Sequence, residues 1–214
     1  MPPAAILWDN DGVLVDTEIL YFEVTRSVLA EVEFELRQDV FVDLALRRGR
    51  SAFELIADRL PVDEVEELRQ RRNRLYTETI ARGVRINAGV RECLAHLQPR
   101  MRMGIVTGSS RLHFETMHRT TDLMRYFEFC LTHDEYTRSK PHPEPYLTAL
   151  ERYEIDPGRC VVVEDSERGV QSAIAAGLRC IAIPNELTRD GDFSDAVAVL
   201  DGVDRLAATL AQLD

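Results

Sequence analysis

Apolar residues gather along this chain in two kinds of pattern. Four short runs, Ala5 to Trp8, Met103 to Val106, Cys160 to Val163 and Cys180 to Ile183, are rich in Val, Ile or Leu, lack clear alternation and stop at polar or turn-forming residues. Such runs predict strands buried on both faces, the condition of a parallel sheet covered by helices. A weaker run, Phe127 to Leu131, predicts one further strand. Val90 to Leu97, Pro145 to Tyr153 and Gly169 to Ala176 instead carry helical patterns, and Gly177 after the last suits a helix C-cap. Strands alternating with helices predict an α/β fold, a doubly wound, mostly parallel sheet with a Rossmann-like core.

Thr17 to about Ile86 breaks that rhythm. It is dense in helix formers and charge and offers no convincing strand, so it predicts an inserted, all-helical unit. The expected organisation is a core of residues 1–16 and 87–214 with a cap of residues 17–86. Asp16 and Thr17 are expected to cap the first helix of the insert and define its hinge. Val62 to Gly83 is a long helical stretch with discontinuous apolar spacing. Its Arg69, Arg71, Arg72 and Arg74 predict a solvated face paired with Glu64, Glu66 and Glu67.

Charge narrows the range of partners. With 214 residues, 45% of them hydrophobic, the chain is long enough for a normal core, yet its formal net charge is −11. The long-range field repels nucleic acid and anionic membrane surfaces, so any bound anion needs a local positive site. Cys93, Cys130, Cys160 and Cys180 are widely spaced and form no CxxC pair, which predicts reduced thiols and a cytoplasmic location. The opening MPPAAILW has no basic n-region, and no segment approaches the ~18 unbroken apolar residues of a membrane span.

In an open parallel sheet the ligand crevice lies outside the C-terminal strand ends. There the predicted strands deliver polar residues: Asp9 and Asp11 after the first, Thr107, Gly108, Ser109 and Ser110 after the second, Glu164 and Asp165 after the third. Lys140 precedes Pro141, Pro143 and Pro145, which are expected to hold a loop extended before a helix. Like charges so close together require a cation, a proton or backbone donors, and several carboxylates at one edge suit Mg²⁺. With charge offset by Mg²⁺ and Lys140, one carboxylate can attack phosphorus and a second can move protons, while the glycine-rich VTGSS stretch receives phosphate oxygens.

These segments resemble the haloacid dehalogenase-like hydrolases, and among them the β-phosphoglucomutase-like phosphatases. DNDGVLVDTE is similar to the family's first motif, VTGSS to the second, SKPHPEPY to the lysine-bearing third and EDSERGVQSAIAAG to the fourth. The resemblance implies Asp9 as nucleophile, Asp11 as general acid/base, and Thr107 and Lys140 as phosphate binders. It further implies Mg²⁺ held by Asp9, the Asp11 carbonyl and Asp165, with Glu164 acting through a metal-bound water or from behind the ligands. It makes 17–86 a helical cap closing over substrate, and Arg47, Arg48, Gly49, Arg50 and Ser51 fall where relatives carry a substrate-reading loop.

Two departures refine the expectation. Mutase members carry a histidine where this chain has Tyr21, which favours a phosphatase, with a sugar phosphomutase as the alternative. Asp11 is absent from true dehalogenases, so its presence argues against carbon–halogen cleavage. A calcium-loop reading of DNDGVLVDTE fails because Leu7 falls where the first ligand belongs and an apolar run replaces the entering helix. A silent binding protein would bind Mg²⁺ and phosphate and turn over nothing. The five histidines show no metal-ligand spacing and are expected at the surface or at caps. The expectation is therefore an Mg²⁺-dependent phosphomonoesterase for a small phosphorylated metabolite such as a sugar phosphate, working as a monomer or weak homodimer.

Overall fold

The computed structural model describes residues 2–213. The chain enters through strand β1 (Ala5–Trp8), turns, and leaves the core through the two-residue β2 (Val15–Asp16). Helices α1 (Glu18–Ala30), α2 (Gln38–Phe41) and α3 (Val62–Ala81) follow, with a π-helical turn and a 3₁₀ turn between the last two. The chain returns through β3 (Arg85–Ile86), which pairs antiparallel with β2, Val15 opposite Ile86 and Asp16 opposite Arg85. Neither β2 nor β3 was foreseen, since two residues are too few to show a periodicity.

The remaining chain alternates as expected: α4 (Val90–Leu97), β4 (Arg102–Val106), α5 (Arg111–His118), β5 (Phe129–Leu131), α6 (Glu144–Arg152), β6 (Cys160–Glu164), α7 (Glu167–Ala175), β7 (Arg179–Ala182), β8 (Ala198–Val199) and α8 (Leu206–Leu210). The six-stranded sheet has the order β5-β4-β1-β6-β7-β8 and every pairing is parallel. The expected strands are present, with ends unshifted or shifted by a residue or two, while α5, β8 and α8 are additions to the expected set. Gly177, at φ +77°, follows the end of α7 in the left-handed region that a glycine tolerates.

The apolar runs lack alternation because both sheet faces are covered. Ile6, Trp8, Met103, Ile105, Val161 and Val163 pack on one side with α4, α5 and α8. Leu7, Val106, Leu131, Val162 and Cys180 pack on the other with α6 and α7. Ile6, Leu7 and Trp8 are fully buried, and a buried aliphatic side chain such as Ile6 or Leu7 contributes roughly 1.5–3 kcal/mol. The strand carrying the first acidic pair is thus anchored from both faces. Trp8, at the end of β1, packs into the same buried cluster as Ile6.

The helices between β2 and β3 have their own apolar cluster, built on Phe22, Leu29, Phe41, Phe53 and Ile56, with Leu187 from beyond β7 packed into it. All four cysteines are free. Among the described residues, no helix is long and apolar enough to cross a membrane.

Candidate active site

β1 lies between β4 and β6, so the residues leaving these three strands meet at one edge of the sheet. Asp9 follows β1, Thr107 follows β4, Glu164 ends β6 and Asp165 follows it. Lys140 reaches them from the loop before α6. That loop turns through a cis Lys140–Pro141 peptide bond instead of running extended.

Lys140 Nζ donates to Asp9 Oδ1 at 2.7 Å, to Glu164 Oε1 at 2.6 Å and to the Val106 carbonyl at 2.9 Å. An ammonium has three hydrogens, so all its donors are engaged and none is spare for a phosphate. Glu164 is fully buried and also accepts from Tyr146 Oη at 2.6 Å and Ser166 Oγ at 3.3 Å. Its oxygens therefore hold Lys140, Tyr146 and Ser166 together. Gly169 permits this packing, because a Cβ there would lie 2.0 Å from the Glu164 carboxyl carbon.

Asp9, Glu164 and Asp165 bring carboxylate oxygens within 4.8 Å of one another, all three buried. Burial, the largest influence, pushes Asp9 up to about 8, with Lys140 opposing and Glu164 and Asp11 reinforcing it. Asp165 is raised well above the ordinary carboxylate range, first by burial and then by Glu18, Asp9 and Glu164. Lys140 is raised as well, because Asp9 and Glu164 outweigh its burial. One ammonium cannot neutralise three buried carboxylates, so the oxygen donors and the uncompensated charge fit a hard divalent cation such as Mg²⁺.

Two residues that the sequence reading missed frame Asp165. Asn185 Nδ2 donates to Asp165 Oδ2 and to Glu18 Oε2, each at 2.7 Å. Glu18 stands in the first turn of α1, and burial pushes it up to about 7. Gly12, at φ +84°, lets the turn after β1 pass close by: a Cβ there would meet Asp165 Oδ2 at 2.1 Å.

Asp11 is held differently. Its Oδ2 accepts from Thr107 Oγ1 at 3.1 Å, Ser109 Oγ at 2.9 Å and Asn10 Nδ2 at 3.3 Å. Its Oδ1 accepts from Thr17 Oγ1 at 2.6 Å. Thr17 is the N-cap residue of α1, yet its side chain makes no capping bond, contrary to expectation; the hydroxyl is spent on Asp11. Ser109 N donates to Thr107 Oγ1 at 3.0 Å, and the space a Gly108 side chain would fill is open.

Above these groups lies a cavity of about 560 Å³, lined from below by Asp9, Asp11, Gly108, Ser109, Lys140 and Asp165 and from above by residues of α1 and α3 and the turn between α2 and α3. Gly49 and Arg50 line it, with Arg50 paired to Glu54. Arg47 does not. Its guanidinium turns to the Asp190 carbonyl at 2.6 Å and lies 3.9 Å from Glu167, which removes it from the substrate-reading group.

Arg72 corrects the solvated-face expectation. It is buried and lines the cavity, its guanidinium 4.4 Å from the Tyr21 ring centroid and 5.4 Å from that of Phe53. Its guanidinium donates to Asn73 Oδ1 at 2.9 Å and Thr25 Oγ1 at 3.4 Å; among the described residues no carboxylate pairs with it. Burial draws its pKa below the ordinary arginine value. The histidine expectation also needs correction: His118 is buried, and His113 lines the cavity edge-on to Tyr76 at 5.0 Å.

Residues 6–183 match the model of the family described as haloacid dehalogenase-like hydrolase. A phosphorylated carbohydrates phosphatase of Thermotoga maritima is 31% identical over 179 residues, 83% of each chain. The crystal structure of CbbY from Rhodobacter sphaeroides in complex with phosphate superposes with a TM-score of 0.81 at 26% identity, covering 100% of both chains. A second structure, of a CbbY variant with xylulose-(1,5)bisphosphate, gives 0.79 at 26% identity over 96% of each. With the family model spanning most of the chain, this protein belongs to the haloacid dehalogenase-like hydrolases and is a phosphoric monoester hydrolase of that type.

Proposed function

We propose that this protein is an Mg²⁺-dependent phosphatase that hydrolyses a small phosphorylated metabolite, a sugar phosphate by class, through an aspartyl-phosphate intermediate on Asp9. The observation that carries this reading is the buried Lys140 ammonium on Asp9 Oδ1, which leaves the other carboxylate oxygen for phosphorus at the cavity floor. Asp9 and Asp165 would hold the magnesium ion, with the Asp11 carbonyl. When bound there, the ion supplies positive charge that keeps Asp9 ionised and offsets charge on the phosphoryl oxygens.

In the proposed cycle Asp9 forms a bond to phosphorus as the bond to the leaving oxygen breaks. Asp11 gives that oxygen its proton. Water then attacks the phosphorus of the acyl phosphate, Asp11 takes its proton, and free phosphate and the Asp9 carboxylate are restored. The Thr107 and Ser109 hydroxyls, which rest on Asp11, and the open backbone at Gly108 are placed to receive phosphoryl oxygens once substrate enters.

Arg72 narrows the substrate class. A buried guanidinium without a carboxylate partner, facing the cavity from the cap side, favours a metabolite with a second anionic group or a dense set of hydroxyls at the end remote from the reacting phosphate. The relatives named for phosphorylated carbohydrates and crystallised with a sugar bisphosphate are consistent with that class.

The deciding experiment is a phosphate-release screen across phosphorylated metabolites, with and without Mg²⁺, with Asp9→Asn as the blank. Metal-dependent release in the parent and none in the folded variant is expected. Near-normal release by Asp9→Asn would show that the nucleophile is another group, and isomer formation without free phosphate would identify a mutase.

A further inference from the structure

Asn10, between Asp9 and Asp11, is a fully buried amide. Its Nδ2 lies 3.3 Å from Asp11 Oδ2, and its Oδ1 lies 2.7 Å from Nε2 of His118, a buried residue that ends α5. The other ring nitrogen, Nδ1, lies 2.8 Å from Thr121 Oγ1. We propose that His118 is a positioning residue for Asp11: as the neutral Nε2–H tautomer it pins the Asn10 amide so that its NH₂ edge faces the Asp11 carboxylate.

The assignment follows from donor arithmetic. Asn10 Nδ2 also lies 3.5 Å from Met117 Sδ, and a thioether can only accept, so the Asn10 atom on the Asp11 side is the NH₂ group and the atom beside His118 is the carbonyl oxygen. That oxygen needs a donor, which places the ring proton on Nε2. Nδ1 is then bare and accepts from the Thr121 hydroxyl. Burial favours the neutral ring, pushing the His118 pKa down to about 4, and the ring is held against Phe114 with centroids 4.6 Å apart.

The other donors to Asp11 are the hydroxyls of Thr17, Thr107 and Ser109, which rotate freely to suit their surroundings. Asn10 is the rigid one. Without His118 its carbonyl becomes a buried, unsatisfied acceptor, and an amide flip would turn that oxygen toward the Asp11 carboxylate. His118 touches neither substrate nor the reacting atoms; it acts through Asn10.

This inference rests on the reading of Asp11 as general acid/base, and its test separates the two. His118→Leu removes the donor, and His118→Gln restores one. For β-glycerophosphate, whose alkoxide must be protonated to leave, kcat/KM in His118→Leu should fall by about tenfold. For p-nitrophenyl phosphate, whose phenolate leaves unprotonated, the loss should stay below about threefold, and His118→Gln should recover most of the alkyl-ester rate. Equal losses on both esters, no loss on either, or no recovery with Gln would overturn the proposal. In the parent protein, long-range proton–nitrogen NMR should find a neutral His118 protonated on Nε2; a proton on Nδ1 overturns the proposal without any variant. Intact alkyl-ester turnover in Asp11→Asn would remove the acid/base reading and this inference together. Loss in Asp11→Asn with no effect of His118→Leu would remove this inference alone.

Discussion

Lys140 Nζ stands 2.7 Å from Asp9 Oδ1, and the pair is joined end-on to Glu164 inside the protein, so the proposed nucleophile, its cation and the carboxylate behind it form one buried unit. Removing the cation leaves Asp9 with burial and like charge acting together against ionisation. Lys140→Met should therefore lower kcat by about 10²–10³-fold, the usual scale for losing one preorganised electrostatic partner. Lys140→Arg should recover little, because a planar fork does not fit a site built for a point charge with three acceptors. Steady-state kinetics at saturating Mg²⁺, with circular dichroism to confirm folding, checks both.

Arg72 should act on substrate choice. Arg72→Met is expected to raise KM for the best metabolite by about tenfold or more, the worth of a charge-assisted hydrogen bond. On p-nitrophenyl phosphate, which has no second anionic group, KM should stay within about twofold. An equal rise on both substrates would place Arg72 against the transferring phosphate instead.

Gly12→Ala probes the crowded approach to Asp165. A methyl there falls on Asp165 Oδ2 and Asn185 Nδ2, and the φ of +84° is strained for any side chain. The Mg²⁺ concentration for half-maximal activity should rise by about tenfold, as when a partner of a metal ligand is lost. Stability should fall by ~1 kcal/mol or more. Activity titrated with Mg²⁺ and a thermal melt measure the two effects.

His118 makes a separate prediction about stability against pH. Its ordinary value is 6.5 and burial lowers it to about 4 in the folded protein. Between those values the unfolded chain binds a proton that the folded chain does not, so stability is complete above about pH 6.5 and declines as pH falls toward 4, by about 3 kcal/mol at most. His118→Gln has no such proton to gain. The Tm gap between parent and His118→Gln should narrow steadily across that window, and a gap independent of pH would mean the ring is charged in the fold.

Much of this site was legible in the sequence because strands buried on both faces announce themselves as unbroken apolar runs, and chemistry collects where those runs stop. Asp9, Thr107, Glu164 and Asp165 converge for that reason, and Lys140 joins them from the loop before α6. Arg72 was misread because a charge-rich stretch suggests a solvated face. Yet Val65, Arg72, Tyr76 and Ile80, spaced by seven, four and four, occupy the buried stripe of α3. His118 sits four residues after the buried Phe114 on α5, a spacing that carries it inward. Asn185 lies in a loop beyond β7, where only tertiary packing determines which carboxylate it meets.

The hydroxyl that Thr17 lends to Asp11 ties the start of α1 to the group proposed to handle protons. A displacement of α1 away from the sheet would drag on that carboxylate or break its bond. A metabolite too bulky for α1 to settle over it could thus lodge in the cavity and still go unprocessed. Selectivity would then surface in turnover more than in occupancy, and poor substrates would act as inhibitors.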